Sequence, residues 1–160
     1  MVYYELIPSP IGQLLLTSDG ESLTGLYLEN HKGGPSIGPA WKRDPSKFSA
    51  ARDQFDGYFA GIRRAFDLPI SLKGTEFQEA VWKQLLTIRH GETVTYGDLA
   101  RRLGDAKASR AVGTAVGRNP ISIIVPCHRV LGIGGAITGY AGGVEKKRML
   151  LDLESGSRLL

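Results

Sequence analysis

The chain has 160 residues, enough for one ordinary domain or two small ones that share an interface. With 42% hydrophobic and 22% charged residues it can bury a real core, which excludes an intrinsically disordered chain. The net charge of +4 suits a polyanionic partner without requiring one, and a single cysteine excludes an internal disulfide.

Met1 to Glu5 carries no basic segment ahead of a long apolar run, so neither a secretory signal nor a membrane span is expected. The protein reads as soluble and intracellular, cytoplasmic or, in a eukaryotic source, nuclear. Val2 to Ile7, Gln13 to Thr17 and Leu23 to Leu28 read as strands, separated by the turn signals Pro8 to Gly12 and Asp19-Gly20. An antiparallel meander follows from that order. His31 to Pro45, rich in Gly, Pro and Lys, reads as an exposed loop. Phe48, Ala51, Phe55, Tyr58 and Phe59 recur at helical spacing and predict an apolar stripe. Residues 61 to 73 read as a connection with room for a short strand.

From Gly74 the pattern turns helical. Thr75-Glu76-Phe77-Gln78 is a capping box, and Phe77, Val81, Trp82, Leu85 and Leu86 form the apolar face of the helix it starts. Thr95-Tyr96-Gly97-Asp98 starts a second helix, with Leu99, Ala100 and Leu103 inward. Gly104-Asp105 makes a turn, and Asp105 is expected to cap a third helix from about Lys107 to Gly117, with Ala111, Val112, Ala115 and Val116 inward. Two short helices joined by a glycine turn fit a helix-turn-helix and equally an ordinary helical hairpin. Arg101, Arg102, Lys107, Arg110 and Arg118 on the outer side suit a phosphate-facing surface.

Ile121 to Val130 carries the chemistry. A β-branched run leads to Pro126-Cys127-His128-Arg129, which reads as a buried strand presenting a thiol. A free thiol is mostly protonated at neutral pH, so a nucleophilic Cys127 needs a group that takes its proton. His128 is adjacent, although neighbours on an extended chain point apart, so a turn or a bridging water is needed. Glu154, at the end of a last helix from Val144, can orient the imidazole as in a triad. The glycine-dense stretch Gly132 to Gly143 lacks the context of a dinucleotide or phosphate loop and reads as a flexible wall over the thiol, with Tyr140 as an aromatic face. One cysteine and three histidines make a structural zinc site an unexpected feature.

Val125-Pro126-Cys127-His128-Arg129-Val130 resembles the active-site signature of the O6-alkylguanine-DNA alkyltransferases, the methylated-DNA–protein-cysteine methyltransferases. The resemblance extends through Gly74 to Gln78, Val81-Trp82, Gly91-Glu92-Thr93, Tyr96 to Ala100, Arg110 to Gly113, Asn119-Pro120, Gly139 to Gly143 and Lys147 to Leu151, and ends at Glu154. It implies an N-terminal ribonuclease-H-like α/β domain, residues 1–73, with an antiparallel sheet and a helix. It further implies a C-terminal helical domain, residues 74–160, with a helix-turn-helix that binds DNA and carries out alkyl transfer. Cys127 then matches the alkyl acceptor, His128 the group that activates it through a water, and Glu154 the carboxylate that orients the histidine. Tyr96 matches the residue that helps extrude the nucleotide and bonds the base, and Arg110 the side chain that fills the gap. Ala108, Ser109, Ala111 and Gly113 fall on the DNA-facing side of the recognition helix. Asn119 matches a hinge, and Tyr140, Gly139 and Val130 the base pocket.

The family implies minor-groove binding to double-stranded DNA containing alkylated guanine, base flipping, and one turnover per molecule. No cofactor or metal is implied, and a monomer is expected; O4-alkylthymine is a further substrate that the resemblance suggests. Arg89-His90 departs from the family's usual Pro-aromatic pair, a change expected to affect a turn and not the chemistry. The competing readings were weaker. An alkyltransferase-like recognition protein lacks the cysteine, a transcription regulator needs an effector module, and a cysteine hydrolase needs an oxyanion hole.

Overall fold

The computed structural model describes residues 1–156; the last four residues of the expected second domain lie outside the described residues. Strands β1 (Tyr3–Ile7), β2 (Leu14–Ser18) and β3 (Leu23–Leu28) form the expected meander, with β1 to β2 pairing Tyr3 with Ser18 and Ile7 with Leu14. β2 and β3 pair Leu14 with Leu28 in the same antiparallel sense. A fourth strand, β4 (Lys42–Arg43), lies parallel to the far edge of β1, so the segment expected to be loop throughout contains a strand. The reason is electrostatic: Glu5 is buried in β1, and Arg43 Nε comes within 2.9 Å of its carboxylate, with Arg52 Nη2 at 3.3 Å. A buried carboxylate without such partners would be costly.

Helix α1 (Ser49–Phe59) follows a 3-10 turn at Pro45–Phe48 and buries Ala51, Phe55, Tyr58 and Phe59, the predicted stripe. Leu23 then bridges to Ile70, which supplies the short pairing in the connection.

Helix α2 (Glu76–Leu85) starts with the predicted capping box: Thr75 accepts from the Gln78 N–H, and the Gln78 side chain accepts from the Thr75 N–H. Its buried face is narrower than expected. Val81, Trp82 and Leu85 are inside, whereas Phe77 and Leu86 are 41% and 45% exposed. These two sit at the ends of the helix, where the stripe has rotated off the core. Trp82 Nε1 donates to the Ala115 carbonyl at 2.9 Å and so fixes α2 against helix α4 (Ser109–Gly117). Strand β5 (Val94–Thr95) leads directly into α3 (Tyr96–Arg102), whose capping box joins Thr95 and Asp98.

Helices α3 and α4 form the pair read as a helix-turn-helix. Asp105 does not cap α4. It accepts from the Lys107 N–H within the turn, and Ala108 occupies the N-cap position without a side-chain bond. Val112, Ala115 and Val116 face the core, but Ala111 faces solvent.

The segment after α4 is not the expected strand. Pro120 to Ser122 hydrogen-bonds alongside β3, with the Leu26 N–H donating to the Pro120 carbonyl and the Ser122 N–H to the Leu26 carbonyl. The chain then turns sharply: Ile124 N–H donates to the Ser122 carbonyl at 2.8 Å, and Ile123 has φ 72°, a left-handed value that a β-branched residue rarely adopts. Strand β6 (Val130–Leu131) pairs parallel with β5, and helix α5 (Val144–Glu154) closes the structure with the expected bounds. Among the described residues no helix is long and apolar enough to cross a membrane.

Candidate functional site

Cys127 opens a 3-10 turn, Cys127–Arg129, and is only 5% exposed. The turn resolves the difficulty of adjacent residues on an extended chain, because Cys127 and His128 are not extended. His128 Nε2 lies 2.7 Å from Glu154 Oε2, and both side chains are buried. Arg129, the next residue, donates through Nε to Glu154 Oε1 at 2.7 Å and through Nη2 to Oε2 at 2.9 Å. Its third nitrogen, Nη1, donates to the Ile88 carbonyl at 2.6 Å. Tyr58, from α1 in the N-terminal half, donates its hydroxyl to Glu154 Oε2 at 2.6 Å.

These contacts set the protonation states. Burial alone would raise the Glu154 pKa, but the hydrogen bonds and charges of His128 and Arg129 outweigh it and hold the carboxyl well below its ordinary range. Burial lowers the His128 pKa, against the pull of Glu154, and so favours the neutral imidazole. A neutral ring that donates through Nε2 keeps a lone pair on Nδ1, and Nδ1 is buried with no protein partner among the described residues. Such a lone pair is able to accept a proton.

Burial pushes the Cys127 thiol above its usual value; hydrogen bonding to Asn119 and the positive charge of Lys147 act in the opposite sense. Lys147 is itself buried, with Nζ donating to the Thr138 carbonyl at 2.7 Å and the Gly139 carbonyl at 3.4 Å. Burial lowers its pKa and the nearby thiol raises it. Asn119 clamps the turn from both sides: Nδ2 donates to the Val125 carbonyl at 2.8 Å, and Oδ1 accepts from the Ile121 N–H at 3.0 Å. It therefore sits where a hinge between α4 and the thiol turn would be.

Cys127 lies in a cavity of about 650 Å³ whose lining includes Tyr96, Gly113, Asn119, Ser122, Gly139 and Tyr140. This size lies within the range of small-molecule sites. Tyr96, first residue of α3, is half-buried there, with its ring beside Gly113 of α4. Burial raises the Tyr140 pKa well above normal, with the neighbouring thiol adding to it; among the described residues its buried hydroxyl has no hydrogen-bond partner. Val130 is elsewhere. It is fully buried in β6 against Val94 and does not line the cavity, because the β5–β6 pairing turns it into the core.

Arg110 and Ser109 face a second, open trough of about 920 Å³, shared with Tyr96, Gly113 and Arg101. Ala111 is exposed beside them, whereas Ala108 is partly covered. The trough and the cavity meet at Tyr96 and Gly113, so the helix pair forms the rim of the pocket that holds the thiol.

Four contributors were missed in the sequence. Tyr58 reads as one more apolar member of the α1 stripe, and Arg129 is part of the motif but carried no role. Lys147 belongs to the stretch Lys147 to Leu151 that carries the resemblance but has no role assigned there. Asn30, His31 and Lys32 line the cavity from the loop after β3, and the Lys32 N–H donates to the Ala141 carbonyl at 2.9 Å. The Arg89-His90 departure is also closer to the chemistry than expected: the His90 ring stands edge-on to Tyr58, 6.1 Å between centroids, one contact from Glu154.

Comparison with known proteins gives a consistent result. Residues 76–156 match the family model described as 6-O-methylguanine DNA methyltransferase, DNA binding domain, and residues 2–72 match its ribonuclease-like domain. The methylated-DNA–protein-cysteine methyltransferase of Mycobacterium tuberculosis is 51% identical over 154 residues, covering 96% of this chain and 93% of that protein. That of Methanosarcina acetivorans is 46% identical, covering 96% and 98%. A crystal structure of Mycobacterium tuberculosis OGT in complex with DNA superposes with a TM-score of 0.90 at 50% identity, covering 96% of this chain and 92% of that one.

Proposed function

The chain belongs to the 6-O-methylguanine DNA methyltransferase family, and on that premise we propose that it repairs DNA by moving an alkyl group from O6 of guanine, or O4 of thymine, onto Cys127. One observation carries the reading. The only cysteine lines a pocket rimmed by a helix-turn-helix, and the residue after it is a buried imidazole paired with a buried carboxylate. A hydrolase would have no use for the helical rim, and a recognition protein would have no use for the thiol.

In this mechanism the N-terminal unit, residues 1–73, supports the site, and residues 74–160 bind the duplex and perform the transfer. The α4 side bearing Ser109, Arg110, Ala111 and Gly113 enters the minor groove, with Ala108 at its start, and the damaged nucleotide turns out into the cavity. Arg110 fills the space it leaves. Cys127 gives its proton, through a water, to His128 Nδ1, while Glu154 stabilises the imidazolium that forms. Lys147 offsets the charge of the thiolate in a site where burial disfavours it.

The sulfur attacks the alkyl carbon in line. A carbon–sulfur bond forms as the carbon–oxygen bond breaks, and the electron pair passes to the base. Tyr96 donates a hydrogen bond to that developing charge, and the base takes up one proton as the thiol gives one up. Tyr140 and Gly139 close the pocket over the base. The thioether has no acidic proton, and the chain has no second thiol to displace it, so each molecule acts once. The experiment is incubation with a duplex containing O6-methylguanine, followed by intact and peptide mass. One methyl group on Cys127 per protein molecule is expected. Repeated turnover, or no adduct, would sink the assignment.

A further inference from the structure

Ile133 is 97% exposed, the most exposed of the large apolar residues among those described. It stands at the tip of a tight turn. The Gly132 N–H donates to the Ala136 carbonyl at 2.8 Å, and the Gly135 N–H to the Gly132 carbonyl at 3.1 Å. Gly134 and Gly135 take φ values of 70° and 81°, which closes the turn beneath the isoleucine. The turn is carried by β6, and β6 is paired with β5, which runs straight into α3. The tip is therefore fixed relative to the helix pair.

Gly132, Ile133 and Gly134 form one wall of the open trough; Ser109, Arg110 and Thr114 of α4 form the other. Arg101, the other cation on this face, is paired with Asp98, so among the described residues Arg110 is the cation of the trough without an ion-pair partner. An isolated apolar knob across a trough from a cation, small residues and hydroxyls is too small to be the core of a protein interface. It fits a polyanion whose groove presents apolar sugar and base edges between its phosphates.

We propose that Ile133 is a second contact with duplex DNA, an apolar side chain that enters the minor groove on the opposite side of the flipped nucleotide from Arg110. Proteins that bend or open the minor groove use such apolar wedges. The proposal rests on the function given above and adds to it that the Gly132–Ala136 turn grips the duplex together with α4. The sugar and base edges remove Ile133 from water, and no counterion is displaced.

The test is the affinity for a fluorescent duplex, with and without O6-methylguanine, across several salt concentrations. Wild type, Ile133→Ser and Ile133→Leu are compared, and the rate with free O6-benzylguanine reports on the intact pocket. Losing one buried apolar side chain should weaken duplex binding by about 10-fold in Ile133→Ser. The slope of log affinity against log salt should not change, since no cation is lost. Ile133→Leu should stay within about twofold of wild type, and all three free-base rates should agree. Unchanged affinity in Ile133→Ser would overturn the proposal. So would a fall in the free-base rate by the same factor, which would mark the turn as a support for the pocket. A wild-type protein that takes no alkyl group from the duplex would instead sink the functional assignment itself, and that result is seen before any variant is made.

Discussion

Removing the Tyr58 hydroxyl isolates the contribution of the N-terminal half to the active centre. Tyr58→Phe takes away one oxygen from a fully buried ring and leaves its packing against Phe59 and Phe66 in place. What is lost is a 2.6 Å hydrogen bond to the ionised Glu154. Hydrogen bonds to charged groups contribute about 1.5–3 kcal/mol. For a chain of this length that corresponds to a fall in melting temperature of roughly 3–12 °C at neutral pH.

The pH dependence identifies the partner. Glu154 has a folded pKa below its unfolded value of about 4.3. Its stabilising effect is therefore complete above that pH and is lost as pH falls through the folded value. Without Tyr58 the folded pKa rises. Both proteins lose stability in parallel just below pH 4.3, but the variant reaches its folded pKa first and levels off. The gap between the two must then close at the acid end. Thermal unfolding across a pH series measures it. An equal melting temperature at pH 7, or a deficit that stays constant at the lowest pH, would show that the hydroxyl does not support the Glu154 charge.

Two further outcomes follow from the site. Arg110→Ala should slow repair of duplex DNA by about 10- to 100-fold, the loss of roughly 1.4–2.8 kcal/mol of support for the extruded state, while the rate with free O6-benzylguanine barely changes. Equal losses in both rates would make Arg110 a scaffold residue. Lys147→Gln removes a positive charge that favours the thiolate, so the Cys127 pKa should rise further and the pH–rate profile with O6-benzylguanine should move to higher pH. The rate at neutral pH should fall by roughly an order of magnitude and recover in alkali; a uniform loss at every pH would point to disruption of the Thr138–Gly139 loop instead.

Features that depend on near neighbours could be read from the sequence. Both capping boxes, at Thr75 and Thr95, involve residues three apart, and α5 starts just after a glycine, Gly143, with positive φ. The Cys127, His128 and Glu154 constellation was legible because the motif marks two members and the family resemblance supplies the third. Other features depend on partners far along the chain. Tyr58 and Glu154 are 96 residues apart, and nothing in an apolar helical stripe distinguishes a tyrosine that packs from one that also holds a carboxylate. β4 exists because Glu5 is buried, which no local pattern around Lys42 announces. The thiol turn differs for a related reason: a β-branched run favours a strand, but beyond the pairing with Leu26 the chain folds back on itself, with the Ile124 N–H bonding to the Ser122 carbonyl, the Val125 N–H to the Ile121 carbonyl and Ile123 left-handed between them.

Those same bonds bear on how the molecule comes apart. The segment ahead of the thiol takes its backbone partners from β3, and the relay carboxylate takes one of its donors from α1. Opening the N-terminal half would strip both at once, leaving two buried peptide groups without partners and the carboxylate short of one of its donors. Fraying one half without the other is therefore costly, which ties the opening of the sheet to that of the thiol turn.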